Sequence, residues 1–199
     1  NPWLTQPLLP RMRDNGKKLL LSYRALSKAI HKKEAIPPAA EWLTDNFHIV
    51  EEQLREIQED LPTAFYNELP KIALGELAGY PRIYAISLAL TAHTDSALEP
   101  ETIRRFVQAF QRVSPLSIGE LWALAITLRL VLVENLRRLA VQVLADHEKR
   151  NLANKIADEI FDGLSDKKQF QNLIQNISSS CSEQVHTECA YFAQLAKRF

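Results

Sequence analysis

A long apolar stretch without glycine or proline constrains this chain more than any other feature. The twelve residues from Trp122 to Val133 include only two non-apolar side chains, Thr127 and Arg129. Such a run predicts a helix that is buried on several sides. It is shorter than the roughly 20 apolar residues that cross a bilayer, and it carries a charge. The sequence therefore predicts a helical domain built around this helix, with no direct membrane span.

The residues that flank this helix indicate where it begins and ends. Ser117 and Glu120 have the spacing of a capping box, in which each side chain bonds the backbone amide of the other residue. Gly163 is the next glycine or proline along the chain and suits the C-terminal cap. A continuous helix would reach ~65 Å, whereas a domain of this size has a radius of gyration of ~16 Å. The helix must therefore project or bend near 146–151, and the lack of a stop signal favours a continuous helix over about 117–163.

The composition indicates that the rest of the chain is helical too. Apolar residues make up 46% of the 199 residues, which argues against disorder. Five glycines and no strand or hairpin pattern favour an all-α, multi-helix bundle without a β-sheet. The 24 basic and 24 acidic residues cancel, so nucleic acid is not an expected partner. We expect residues 1–199 to form a single domain, and the start at Asn1 without Met suggests a fragment of a larger protein.

Proline positions and the spacing of apolar residues divide the chain into predicted segments. Four-and-three spacing of apolar residues predicts amphipathic helices on both sides of Pro37-Pro38. The predicted segments are an irregular lead-in at 2–10, a helix from Met12 to Lys33, a single helix from Pro38 to Leu61, a short helix at 63–68, a connector at 71–80, a helix at 82–93, a helix from Pro100 to Ser114, the central helix, a helix from Ser165 to Ile177, and a last helix ending at Phe199.

No catalytic motif stands out from the sequence. There is no glycine-rich phosphate loop, nucleophile elbow or HExxH. Asp60, Glu68 and Asp95 could act as general acids, but sequence spacing does not pair them across a cleft. The sequence therefore predicts no catalytic residue in this fragment.

Two groups of potential metal ligands have simpler explanations. His48 with the acidic pair 51–52 has helical spacing, but a di-iron bundle needs a second copy of its Glu-x-x-His motif, so a solvated face is favoured. Cys181, His186 and Cys189 lack a fourth zinc ligand, and buried cysteines in a reducing compartment are the better interpretation. We expect neither a metal nor another cofactor in this fragment.

Charged and amide side chains on the central helix predict a buried polar network. Arg129 shares a helical face with Trp122 and Val133, so we expect its guanidinium to leave water and pair with a carboxylate on another helix. A polar pocket for a sugar or a partner domain is the alternative. The predicted network consists of Glu120, Arg129, Glu134, Asn135, Arg137 and Arg138.

Four stretches taken together resemble the N-terminal region of cyclic β-1,2-glucan synthases. The first stretch matches that family in a tryptophan followed by Asp-Asn-x-His and Val-Glu-x-Gln. In the second stretch, Phe65-Tyr66 stands where the family usually has a pair of tyrosines. The resemblance covers about 38–145, leaving 146–199 as a helical extension. The stretches are PAAEWLTDNFHIVEEQLREI from Pro38, DLPTAFYNELP from Asp60, LAGYPRIYAISLALTAHTD from Leu77, and PLSIGELWALAITLRLVLVENLRRLA from Pro115.

This resemblance implies a piece of a very large bacterial inner-membrane protein, on the cytoplasmic side. Proteins of that family polymerise glucose from UDP-glucose and trim the chain with a phosphorylase-like unit. The matching region precedes the transferase, so we expect a non-catalytic accessory or scaffold domain, with other domains of the parent protein as partners. The alternative is a module that binds the β-1,2-glucan chain. Candidate glycan- or partner-binding residues are Trp42, Asn46, His48, Glu51, Gln53, Tyr66, Tyr80, Arg82, His93 and Asp95.

Overall fold

The computed structural model describes residues 8–163, which fold into helices packed against one long helix. Within this range there is no strand or sheet, only an isolated bridge between Lys71 and Pro81. The all-α prediction is confirmed. The helices are α1 (Leu8–His31), α2 (Pro38–Asp45), α3 (Phe47–Asp60), α4 (Thr63–Glu68), α5 (Arg82–His93), α6 (Pro100–Val113) and α7 (Ile118–Gly163).

The long helix α7 is the element on which the other helices are arranged. It runs for 46 residues, and no break in the helix occurs at 146–151. At about 1.5 Å per residue, its length is roughly 69 Å. Helices α1, α2, α3 and α5 all contact it. Against α5 the contact includes a buried pair of small side chains, Ser87 and Thr127, whose hydroxyl oxygens lie 2.8 Å apart, so these two helices approach closely.

Helix α1 begins earlier than the sequence predicted. Leu8 and Pro10 belong to its first turn, although the stretch up to Pro10 was expected to be irregular. A proline is tolerated there because the first amides of a helix have no acceptor within the helix. Starting at Leu8 places Leu8 and Met12 in the core and brings Arg11 within reach of α7.

The single helix expected from Pro38 to Leu61 is two helices. Asn46 interrupts it with φ −109° and ψ 15°, and its side-chain nitrogen donates to the Trp42 carbonyl at 2.8 Å. Asparagine competes in this way with the backbone bonds of a helix, so the break has a local cause. The apolar face continues from α2 into α3 across this break, since Leu43 and Phe47 are both buried.

The remaining predicted segments within 8–163 agree with the structure. Helices α4, α5 and α6 and the connector at 71–80 have the expected limits within a residue or two. The predicted helices beyond Gly163, together with the cysteines at 181 and 189, lie outside the described residues.

Candidate functional site

The first polar cluster joins the beginnings of α5 and α7. Arg82 donates from Nε and Nη2 to the two carboxylate oxygens of Glu120, at 2.8 and 2.7 Å. The capping box forms as predicted: Ser117 N donates to Glu120 Oε2 at 2.9 Å, and Glu120 N donates to Ser117 Oγ at 3.2 Å. Arg82 also donates to Ser114 Oγ at 2.8 Å. Arg82, a binding candidate in the sequence, therefore serves to hold two helices together.

The surroundings of Glu120 favour its ionised form. Its side chain is fully buried, and burial pushes the carboxyl pKa upward. The hydrogen bonds from Arg82 and Ser117 act in the opposite direction and together outweigh burial, so the pKa of Glu120 lies below its ordinary value of 4.5. The Glu120 carboxylate therefore has a structural role, with the charge of Arg82 opposite it and hydrogen bonds from Ser117.

A second cluster links α1, α5 and α7 through Glu134. Tyr84 donates its hydroxyl to Glu134 Oε2 at 2.7 Å. Arg11 Nε lies 2.7 Å from Glu134 Oε1, a close ion pair that lacks the alignment of a hydrogen bond. Burial and then the contact with Glu134 raise the pKa of Tyr84, so the phenol stays protonated. The sequence pointed to Glu134 but not to Arg11, because Arg11 lies ahead of Met12, where the predicted helix began.

The sequence did not indicate a third cluster, near the C-terminal end of α1. Lys33 adopts φ 58° after α1, and the turn brings Glu34 to α7. His147 Nε2 lies 2.9 Å from Glu34 Oε2, and Asn151 donates to the same oxygen at 2.8 Å. The bond from Asn151 and then the contact with His147 lower the pKa of Glu34. The i, i+4 spacing of His147 and Asn151 was the available signal that they share a helix face.

Arg129 does not have the buried environment that the sequence predicted. Its Nη1 lies 3.1 Å from Glu56 and 3.6 Å from Asp60, so the acidic partners on another helix are present. However, 42% of the Arg129 side chain is exposed, and Trp122 on the same face is 73% exposed. Neighbouring helices cover most of the apolar run but leave Trp122 and part of the Arg129 side chain in water. Arg129 therefore forms its ion pairs with Glu56 and Asp60 at the surface.

The structure separates the predicted polar network into clusters and surface groups. Glu120 and Glu134 belong to different clusters, and Arg138 is exposed. Arg137 has a buried Nε with no hydrogen-bond partner among the described residues. Residues at these positions point to several sides of α7, because successive residues of a helix are rotated by about a third of a turn or less. The six residues therefore do not form one connected network.

The binding candidates on α2 and α3 differ in how accessible they are. Trp42 is exposed and lines an apolar groove of about 240 Å³ with Leu43 and Leu139. Asn46 is used at the break between the two helices. Gln53 donates to Glu56 at 3.2 Å. The last two, His48 and Glu51, are solvent-exposed.

The aromatic candidates that follow are largely enclosed. Tyr66 is buried, and Lys71 Nζ lies 4.1 Å from the centre of its ring. Burial raises the pKa of Tyr66 to about 12 and lowers the pKa of Lys71 to about 8. Tyr80 packs against Tyr84 with ring centres 5.4 Å apart. Their rings are therefore committed to packing, whereas His93 is exposed at the end of α5.

An open cleft between the end of α5 and the middle of α7 collects candidates from both predicted groups. It has a volume of about 410 Å³ and is lined by Asp95, Asn135 and Arg138. Asn135 donates to Ser96 Oγ at 3.0 Å and accepts from Arg138 at 3.3 Å. We refer to this feature as the α5–α7 cleft. Its full lining is Leu88, Thr91, Ala92, Asp95, Ser96, Val131, Asn135, Arg138 and Leu139.

Neither grouped metal ligands nor a membrane-spanning helix occurs in the part of the chain that the structure describes. In residues 8–163 no three His, Cys, Asp or Glu side chains are grouped as metal ligands would be. None of the helices in this part combines the length and apolar character needed to cross a bilayer.

These features define an all-helical fold, in which three clusters of polar side chains join neighbouring elements and the α5–α7 cleft stays open. The chain is 39% identical over 188 residues to the cyclic beta-(1,2)-glucan synthase NdvB of Rhizobium meliloti (strain 1021). The match spans 94% of this chain and 6% of that protein. It relates the chain to one segment of a glucan synthase. No family model matches.

Proposed function

We propose that this chain is a non-catalytic helical accessory domain of a glucan synthase-related membrane protein, and that it docks against another domain of the same protein. The parent would use UDP-glucose and trim its product with a phosphorylase-like unit, on the cytoplasmic side of the inner membrane. The similarity to a segment of a much longer glucan synthase supports this context. Two of the three candidate acids are placed apart from each other, since Asp60 pairs with Arg129 and Glu68 is exposed at the end of α4.

An exposed apolar patch at the beginning of α7 carries the docking proposal. Ile118, Leu121 and Trp122 lie three and four residues apart, the spacing of neighbours on a helix surface. Of these, Ile118 is 70% exposed and Trp122 is 73% exposed. We call these three residues the α7 patch. Clustered exposed apolar side chains mark interaction surfaces, and tryptophan is enriched among residues that dominate binding. The related protein is far longer than this chain, so a neighbouring domain of the parent is the occupant we propose.

Cysteine labelling in the intact parent protein tests the docking. Ile118→Cys is placed in a background where the cysteines at 181 and 189 are serine, and Leu74→Cys, at a site that is 83% exposed outside the patch, is the control. We expect a maleimide to label Leu74→Cys readily and Ile118→Cys slowly. Adding Trp122→Ser should restore labelling at 118. Equal labelling at both sites in the unmodified parent would contradict docking through the α7 patch.

A second candidate function is glycan binding, and the exposed Trp42 beside its groove favours it. Aromatic rings with an open face offer an apolar surface on which the C–H face of a sugar can pack. Among the four candidates Trp42, Asn46, Tyr66 and Tyr80, only Trp42 is more than half exposed. Titration of the chain with linear β-1,2-gluco-oligosaccharides, followed by Trp fluorescence or calorimetry, tests this candidate. A chain that only docks should give no saturable signal.

A further inference from the structure

We infer that the α5–α7 cleft is a binding site for a neutral polyhydroxylated ligand, namely a glucosyl unit held by Asp95, Asn135 and Arg138. The inference rests on the second candidate function above and adds a binding site to the Trp42 groove that favours that function. The cleft has a volume of about 410 Å³. Small-ligand sites range from ~300 to ~1000 Å³, so the cleft has the size of such a site.

The backbone that forms one wall of the cleft is unusual. Asp95 and Ser96 both lie in the left-handed region, with φ of 49° and 67°. Ser96 N donates to the Thr91 carbonyl at 2.9 Å, which ends α5 in a manner that usually uses glycine. Two consecutive non-glycine residues in this region are disfavoured, and such strain concentrates at ligand sites. The side chains at 95 and 96 therefore supply something that glycine would not.

The side chains of Asp95 and Ser96 provide polar groups in the cleft. Ser96 Oγ accepts from Asn135, which fixes the amide of Asn135 in the cleft. The carboxylate of Asp95 makes no hydrogen bond or ion pair with other described residues, although it lines the cleft. Arg138 uses one N–H donor on Asn135, and because a guanidinium has several such donors, others remain open. The cleft thus presents free acceptors and free donors together.

The charges and walls of the cleft determine what it would recognise. Asp95 and Arg138 have opposite charges, so neither an anion nor a cation gains overall. Hydroxyl groups donate and accept, and they match a carboxylate, an amide and a guanidinium placed side by side. Leu88, Val131 and Leu139 give apolar surface for the C–H face of a sugar ring. Leu139 also lines the Trp42 groove, so the cleft and the groove share this one side chain.

The test uses the whole chain and a backbone-matched control. Asp95→Gly removes the carboxylate while relieving the left-handed backbone, so the fold should be retained. Lys33→Gly gives the same relief at φ 58°, outside the cleft. We expect Asp95→Gly and Arg138→Gln to weaken binding of a linear β-1,2-gluco-oligosaccharide about tenfold or more. Lys33→Gly should leave the Kd unchanged.

Each other result is informative. Wild-type binding that both cleft variants retain would overturn this location while leaving glycan binding intact. No binding by the wild-type chain would overturn both, and would leave the docking proposal for the α7 patch standing. Saturable binding of a zwitterion such as free alanine that is lost in Asp95→Gly would assign the cleft to an amino acid and overturn the sugar.

Discussion

The ion pair between Arg82 and Glu120 provides the most direct test of how this fold is held together. Replacing Glu120 by glutamine keeps the shape of the side chain but removes the charge that faces Arg82. The loss of one partner from a buried ion pair costs ~3–5 kcal/mol. Arg82 keeps 30% of its side chain in water, so part of that penalty is relieved. We expect a loss of about 2–3 kcal/mol in unfolding free energy, between the values for buried and for exposed pairs.

For a chain of this length each kcal/mol lowers Tm by about 2–4 °C, so Glu120→Gln should melt about 4–12 °C below wild type. Thermal and urea unfolding followed by circular dichroism measure this. Glu101→Gln is the matched control, because Arg104 bonds Glu101 in the same two-pronged way, at 2.9 and 2.8 Å, but with both side chains 59% exposed. The Tm of Glu101→Gln should equal that of wild type, since exposed ion pairs contribute little to stability.

A double variant completes the comparison. Glu120→Gln with Arg82→Met removes both charges and keeps an acceptor for Ser117, and it should be more stable than Glu120→Gln alone because no unpaired charge is left behind. The reasoning is refuted if Glu120→Gln and Glu101→Gln have the same Tm. The buried Glu120 carboxylate would then contribute no more to stability than the exposed Glu101 carboxylate.

Two further outcomes follow from the same structure. The folded pKa of Glu120 is lowered from its ordinary value of 4.5. Its contribution to stability is therefore complete above the ordinary pKa and is lost as pH falls through the lower folded value, so Glu120→Gln should flatten the acid limb of stability against pH. Arg129→Met should change the unfolding free energy by only ~0–1 kcal/mol, as should Glu56→Gln, because exposed pairs contribute little. A drop of several kcal/mol in urea titration would show that Arg129 is desolvated after all.

Local sequence signals were sufficient for several features whose physical cause is local. The capping box at Ser117 and Glu120 depends on two residues three apart, and it formed as predicted. Prolines and apolar spacing similarly set the limits of α4, α5 and α6. Two local signals were misjudged: Pro10 was taken to exclude a helix that accommodates it, and the competition from Asn46 was overlooked.

The sequence by itself determined that the chain is helical and that α7 is its central element, because periodicity and capping act over a few residues. The tertiary structure decided which face of α7 is covered and which polar groups meet. Arg82 and Glu120 are 38 residues apart, and Glu34 and His147 are 113 apart, so no spacing rule could pair them. The same holds for the α5–α7 cleft, whose lining residues from two helices meet only because α5 packs on α7. Burial depends on neighbours from distant sequence, and for that reason the apolar run did not reveal that Trp122 and part of the Arg129 side chain stay in water.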